Sequence, residues 1–238
     1  MLDLQFELHV NFTVAPRSKY LTTYLTLGSG HWMTRLKKSE RRSQIIENAI
    51  KVFAECGLAG ARTRRIADAC GVNEALIYKH FKSKKELFRA AMADLHARLI
   101  ANWQDTAEKA CDGRTALEEI LKLQTWSIYN RPETVANIVH GLSAAMADER
   151  MREMIQGWTE QQHRFVVGIL KRGIADGSLR ADLDPERASW WLRGLGWTSI
   201  IINALGLPDS LPEQSADEMY IQIIECLAGK DDAWQQPE

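Results

Sequence analysis

The stretch from Thr63 to Lys84 constrains the fold of this chain more than any other. Ile66, Ala67 and Cys70 recur at helical spacing, Gly71 stands where the chain must reverse, and Val72 fills the angle left by the reversal. Thr63 is placed to cap this first helix, and Asn73 caps the next. The second helix buries Leu76, Ile77 and Phe81 and turns Glu74, Ala75, Tyr78, Lys79 and His80 outward. Ser83 and Glu86 have the spacing of a capping box that opens a third helix. A short helix with a polar outer face, held by an apolar neighbour and flanked by cations, is the geometry that enters a DNA major groove. A plain helical hairpin in a core is the blander reading; the exposed side chains and the charge around them favour the groove.

Charge is distributed to match. The 30 Lys and Arg are balanced by 31 Asp and Glu over the 238 residues, which by itself argues against a general nucleic-acid binder. From Met33 to Ala90, however, 14 cations face 6 acids, whereas from Ala91 to Glu238 14 cations face 23 acids. A basic module joined to an acidic one suits phosphate binding by the first and keeps the second off the duplex. Lys37, Lys38, Arg41 and Arg42 form either a solvated face or a basic arm toward DNA.

Residues 1–32 break the pattern. Leu2, Leu4, Phe6, Leu8, Val10, Phe12 and Val14 alternate with polar residues, and Tyr20 to Leu27 is rich in Thr, Tyr and Leu, which predicts a β-hairpin. An upstream extension or mis-assigned start before Met33 is favoured over a functional β-appendage. Cys56, Cys70, Cys111 and Cys226 are too scattered for a paired metal-ligand spacing and read as free thiols in a reducing compartment. No run has the length of a membrane span and none reads as a secretion signal, so a cytoplasmic protein without membrane partners is expected.

After residue 32 every periodic segment is helical, and the fold class is all-α. Ser39 to Cys56 presents Ile46, Ala49, Ile50 and Phe53 on one face and ends at Gly57. A connecting helix from Ser83 carries Leu87, Phe88, Ala91, Leu95, Leu99 and Trp103. Further helices are predicted from Thr115, with a Thr115–Glu118 capping box, to about Tyr129, and from Pro132 to about Ala147. Others follow from Asp148 to Ala175, from Asp184 to about Leu205, and from a Ser215–Glu218 cap to about Leu227.

Residues 41–89 resemble the amino-terminal domain of the tetracycline-repressor (TetR/AcrR) family of bacterial transcription regulators. The resemblance is carried by Phe53-Ala54-Glu55-Cys56-Gly57, Thr63, Ile66-Ala67, Gly71-Val72, Tyr78, His80-Phe81, Ser83-Lys84 and Glu86-Leu87-Phe88, matching without a gap. Asn73 stands where Ser is more usual, and both cap well. The resemblance implies an amino-terminal three-helix DNA-binding domain, 33–88, followed by an effector-binding and dimerisation domain, 89–238. It implies that Thr63 and Arg64 touch the phosphate backbone, that Glu74, Ala75 and Lys79 reach base edges, and that Tyr78 and His80 grip backbone. Asn73 heads the same DNA-reading helix, and Lys84 is aimed at a phosphate from a helix start.

The helix at Trp190 to Leu205 is apolar around much of its axis, more than one core needs, so a second buried side is expected. A homodimer is read there, with Trp191, Leu195, Thr198 and Ile202 packing against Ile223 and Leu227 across a two-fold axis; a larger internal core is the alternative. Trp103, Trp126, Asn130 and Asn137, with Gly141, Trp158 and Gln161, are aromatics, amides and a small residue that suit an effector pocket as a set, although each alone reads as core. Gly141 and Gly157 within helices suggest a close approach or tight helix packing.

His140 and His163 are too isolated for a metal site, and no catalytic constellation, metal signature or cofactor motif is present. The expected function is a cytoplasmic, nucleoid-associated bacterial repressor. It would bind a palindromic double-stranded operator as a homodimer and answer to a small-molecule effector of unknown identity. The alternative is a DNA-binding protein whose carboxy-terminal domain binds another protein instead.

Overall fold

The structure, a computed structural model, describes residues 37–229, so the expected hairpin and start within residues 1–32 lie outside the described residues. Nine α-helices and one short 3-10 turn make up the described residues, in agreement with the all-α expectation. α1 spans Lys38–Gly60 and buries Ile45, Ile46, Ala49, Ile50, Val52 and Phe53. It does not stop at Gly57 as the sequence suggests. Gly57 adopts φ 63°, ψ −175°, a conformation open to glycine and costly for other residues, so the helix kinks there and runs one more turn.

α2 (Thr63–Cys70), α3 (Glu74–His80) and the first turns of α4 (Lys84–Lys109) pack on α1 around Phe53, Ile66, Ile77, Phe81, Leu87 and Phe88. The Phe53 and Phe88 rings meet edge to face at 4.9 Å. Gly71 closes α2 in the left-handed conformation at φ 64°, as expected. The cap of α2 differs: Arg62 holds the cap position, and Thr63 is already the first helical residue.

α5 (Gly113–Asn130), α6 (Pro132–Ala147), α7 (Glu149–Asp176), α8 (Pro185–Ala204) and α9 (Glu213–Leu227) complete the chain. The expected Thr115 start of α5 is corrected: Asp112 is the cap, accepting from the Thr115 amide at 2.7 Å. Asp can accept from the free amides of a first turn at least as well as Thr, and it lies three residues earlier. α9 likewise begins at Glu213, behind Pro212, and Ser215 lies inside it. Pro fits that edge because its missing N–H costs the helix nothing there.

The close approach expected at Gly141 and Gly157 occurs elsewhere. A methyl on Gly141 would meet only ordinary contacts at 3.7 Å or more, and at Gly157 it would meet nothing within 4 Å. A β-carbon on Gly113 would instead lie 2.2 Å from the backbone nitrogen of Gly173, which is where α5 and α7 cross in contact. A second core, around Leu117, Ile120, Leu170, Leu192 and Ile224, joins α5, α7, α8 and α9.

Candidate nucleic-acid interface and effector region

α3 is short and therefore depends on its neighbours for order. The Leu76 amide donates to Asn73 Oδ1 at 2.9 Å, so Asn73 is a cap that fixes the helix start. Ile77 and Phe81 are buried to 1% exposure and hold the inner side. Leu76, expected to be buried, is only partly so. Glu74, Ala75, Tyr78 and Lys79 are exposed, as a groove-reading face requires.

Thr63 is buried, and its hydroxyl meets the Tyr78 hydroxyl at 3.3 Å. It thus orients Tyr78 and is not itself an open phosphate contact. Arg64 is exposed beside it. Arg65, also exposed, is paired with Glu55 of α1. His80 is partly covered, and burial, followed by the charges of Lys38, Arg42 and Arg41, holds its pKa below the ordinary imidazole value. The Arg42 guanidinium lies over the Phe81 ring at 4.8 Å. This cation on an aromatic face was not read from the sequence, where Arg42 was only a member of a basic run.

Lys84 departs from expectation. Its Nζ donates to the Ala61 carbonyl at 2.7 Å and to the Ala59 carbonyl at 3.3 Å, so the ammonium clamps the extra turn of α1 just before α2 begins. Only half of the expected capping box forms beside it. Glu86 donates its amide to Ser83 Oγ at 3.2 Å, but its carboxylate accepts from the Lys82 amide at 2.9 Å and not from Ser83.

The seven residues expected to line one effector pocket are dispersed. Trp103 is core, tilted against Phe165 with ring centres 5.8 Å apart. Trp126 lies under the Arg131 guanidinium at 4.9 Å, and Asn130 donates to Glu213 at 3.0 Å, both at the far end of α5. Asn137 and Gly141 are buried on α6, where Asn137 donates to the Ile50 carbonyl of α1 at 3.4 Å. Trp158 stacks on His96 at 4.9 Å, and Gln161 meets His96 Nε2 at 3.1 Å, at the α4–α7 contact. Aromatics and amides here serve three helix pairs, α4–α7, α5–α9 and α1–α6.

Two open clefts lie among α5, α6, α7 and α8, and none of the seven lines either. One, of about 290 Å³ between α7 and α8, is bounded by Ile155, Gln156, Thr159, Glu160, His163 and Trp190. The other, of about 320 Å³, lies among α5, α6 and α8 and includes Tyr129, Val135, Val139, His140 and Asn203.

The expected dimer face is partly corrected too. Leu195 and Leu227 are core residues, exposed to 7% and 3%. Trp191 and Thr198 face solvent, Ile202 and Ile223 are half-buried, and Trp190, Ile201, Leu205, Met219 and Ile221 add exposed apolar surface on α8, just past its end, and on α9. Among the described residues no helix is long and apolar enough to cross a membrane.

Residues 45–91 match the family described as bacterial regulatory proteins, tetR family. The HTH-type transcriptional repressor KstR2 of Rhodococcus jostii is 29% identical over 187 residues, which is 79% of this chain and 90% of that protein. The fold is similar to that of the transcriptional regulator FadR from Bacillus subtilis, solved in complex with stearoyl-CoA (TM-score 0.63, 20% identity, 78% of this chain and 97% of that one). It is also similar to that of the TetR family regulator CifR complexed with 26-bp operator DNA (TM-score 0.64, 21% identity, 78% and 95% covered).

Proposed function

With an amino-terminal domain of the tetR family of bacterial regulatory proteins, this chain is a TetR-family transcription regulator that binds DNA, and we propose that it is a homodimeric repressor released from a palindromic operator by a small-molecule effector. The observation that carries the reading is the outer face of α3. Glu74, Ala75, Tyr78 and Lys79 stand exposed on a helix whose start is fixed by Asn73 and whose Tyr78 is oriented by Thr63. Of these, Glu74, Ala75 and Lys79 would discriminate base edges, while Arg64, Tyr78 and His80 fix the register on phosphates. We place the DNA-binding domain at 33–88 and the effector and dimer domain at 89–238, with action in the bacterial cytoplasm.

One three-helix unit contacts few base pairs. A second copy, one helical turn of DNA away, supplies the rest, at about 34–36 Å between half-sites. The exposed Trp191, Thr198 and Ile201 of α8, with Met219 and Ile221 of α9, offer the apolar face that such pairing would bury. The repressor sign follows the KstR2 likeness, and an effector with a long apolar part follows the FadR likeness. An effector would act by favouring one spacing of the two recognition helices. About 3 kcal/mol of preference gives roughly a hundredfold loss of operator affinity.

The test is site selection from random duplexes, followed by titration at fixed salt with the mass of the complex measured. Two chains per two-fold site support the reading, and one chain per site removes the dimer. A second reading has its own observation. Val139, Leu142 and Met146 form an exposed apolar stripe along α6, Met146 at 83% exposure, which suits a protein partner in place of an effector. Thermal-shift screening of metabolites separates the two: a saturable stabiliser that also releases DNA favours the effector.

A further inference from the structure

Arg193 interrupts the Trp-rich apolar run of α8, and its exposure is only 9%. A guanidinium keeps its charge at any accessible pH, so a buried one needs partners for its donors. Nη1 has one, the Thr159 carbonyl of α7 at 2.8 Å. Nη2 is shut away from solvent and has no hydrogen-bond partner. Burial pushes the group down from its ordinary value, and no carboxylate offsets the effect.

The two residues that hold this cation also bound a cleft. The Trp190 ring lies 5.1 Å from the guanidinium carbon, and Trp190 and Thr159 are both part of the wall of the 290 Å³ cleft between α7 and α8. Trp190 is 56% exposed, and its other ring contact is a stack on His163 at 5.0 Å. Arg193 does not itself line the cleft, and a rotation of Trp190 toward solvent is the movement that a site using Nη2 requires. The rest of the wall is Ile155, Gln156, Glu160 and His163. His163 is held by Glu186 at 2.7 Å and Glu160 is paired with Arg164 at 2.6 Å, so neither is drawn toward Arg193.

We propose that this cleft binds a small molecule with an apolar body and a single terminal carboxylate, the acid pairing with Arg193 while the body lies along Ile155 and Trp190. The guanidinium fork matches a carboxylate with two parallel hydrogen bonds and supplies the partner that Nη2 lacks. Arg193 brings one positive charge and the residues lining the cleft include no Lys or Arg, which makes a monoanion the better fit than a doubly charged phosphate. The site deepens the effector reading and rests on it only for its consequence at the operator.

The experiment is calorimetric titration of the full chain with decanoate, decanol and decyl phosphate, beside melting curves of the wild type, Arg193→Met and Arg193→Lys. Decanoate is expected to bind at least tenfold more tightly than either other probe. Arg193→Met should lose that advantage while keeping decanol, and without ligand it should melt at or above the wild type, because an unpaired buried cation has been replaced by an apolar chain of similar size. Should Arg193→Met not fold, Arg193→Lys decides, since it keeps the charge but has no fork; a tenfold loss of decanoate affinity is expected.

Equal binding of decanoate and decanol, no binding of any probe, or decanoate binding that survives both substitutions would overturn the site, the last pointing to a carboxylate of a second copy as the partner of Arg193. The two readings fail separately. A metabolite that releases DNA from Arg193→Lys as readily as from wild type keeps the sensor and removes this site. Decanoate that binds through Arg193 yet leaves DNA binding unchanged keeps the site and removes it as the sensor's trigger.

Discussion

His140 of α6 lies against Gly57 of α1 so closely that a β-carbon at Gly57 would stand 2.8 Å from the imidazole Nδ1. Gly57 is also at φ 63° with ψ −175°, so glycine is required there twice, by backbone conformation and by contact. The α-helix that kinks at this point leads directly to Arg62 and α2, and His140 also borders the cleft among α5, α6 and α8. Gly57→Ala is expected to cost about 1–3 kcal/mol from the backbone term, with the contact adding to it. Adding His140→Ala should return the contact part and leave the backbone part. A urea double-mutant cycle measures the difference, and strict additivity would show that His140 and Gly57 do not press on one another.

Lys84 clamps the Ala59 and Ala61 carbonyls, so its substitution should act on the fold before it acts on DNA. Lys84→Met keeps most of the stem and removes both bonds, with an expected loss of about 1–2 kcal/mol in denaturant titration. The salt dependence of DNA binding gives the second readout. A lost phosphate contact lowers the log–log salt slope by about 0.9, whereas a clamp leaves it unchanged. An unchanged slope is expected.

Acidification should weaken the fold. Burial is the main cause holding the His96 pKa below 6.5, with the Gln161 hydrogen bond pulling weakly the other way. Between the lowered folded value and the ordinary unfolded one, the unfolded chain carries more protons. The stability is therefore present above the unfolded value and is lost as pH falls through the folded one. His80 shifts in the same direction, from burial first and then from Lys38, Arg42 and Arg41. Urea midpoints at pH 7.5 and 5.0 should fall for the wild type, fall less for His96→Gln, and least for the double variant with His80→Gln. A drop that neither substitution reduces would assign the pH dependence to other groups.

The local rules were legible. Gly71, Asn73, Asp148, Gly177 and Asp184 end or start helices where their chemistry says they should, because a cap is decided within four residues. The face of α3 was legible for the same reason: its period is short and its inner residues are large. The capping box at Thr115 misled because Asp112 already caps the helix three residues earlier, accepting from the Thr115 amide itself. What failed was long-range. Whether Trp103 or Asn137 lines a cavity or a helix contact depends on which helix crosses it, and crossing angles are not written in one helix's pattern. Leu195 and Leu227 misled in the same way, since an all-round apolar helix does not say which side the core takes first. Arg193 was overlooked, although a cation inside Trp190-Trp191-Leu192-Arg193-Gly194-Leu195 is a signal that needs no structure.

The central claim, that α3 reads DNA through Tyr78 and Lys79, is most directly tested by site selection from random duplexes with wild type, Tyr78→Ala and Lys79→Ala in parallel. The account predicts one enriched two-fold site for the wild type. Tyr78→Ala should bind selected and unselected sequences more weakly by a similar factor, and Lys79→Ala should change the preferred bases within each half-site. No enriched site for the wild type, or the same site bound with wild-type affinity by both variants, would contradict it.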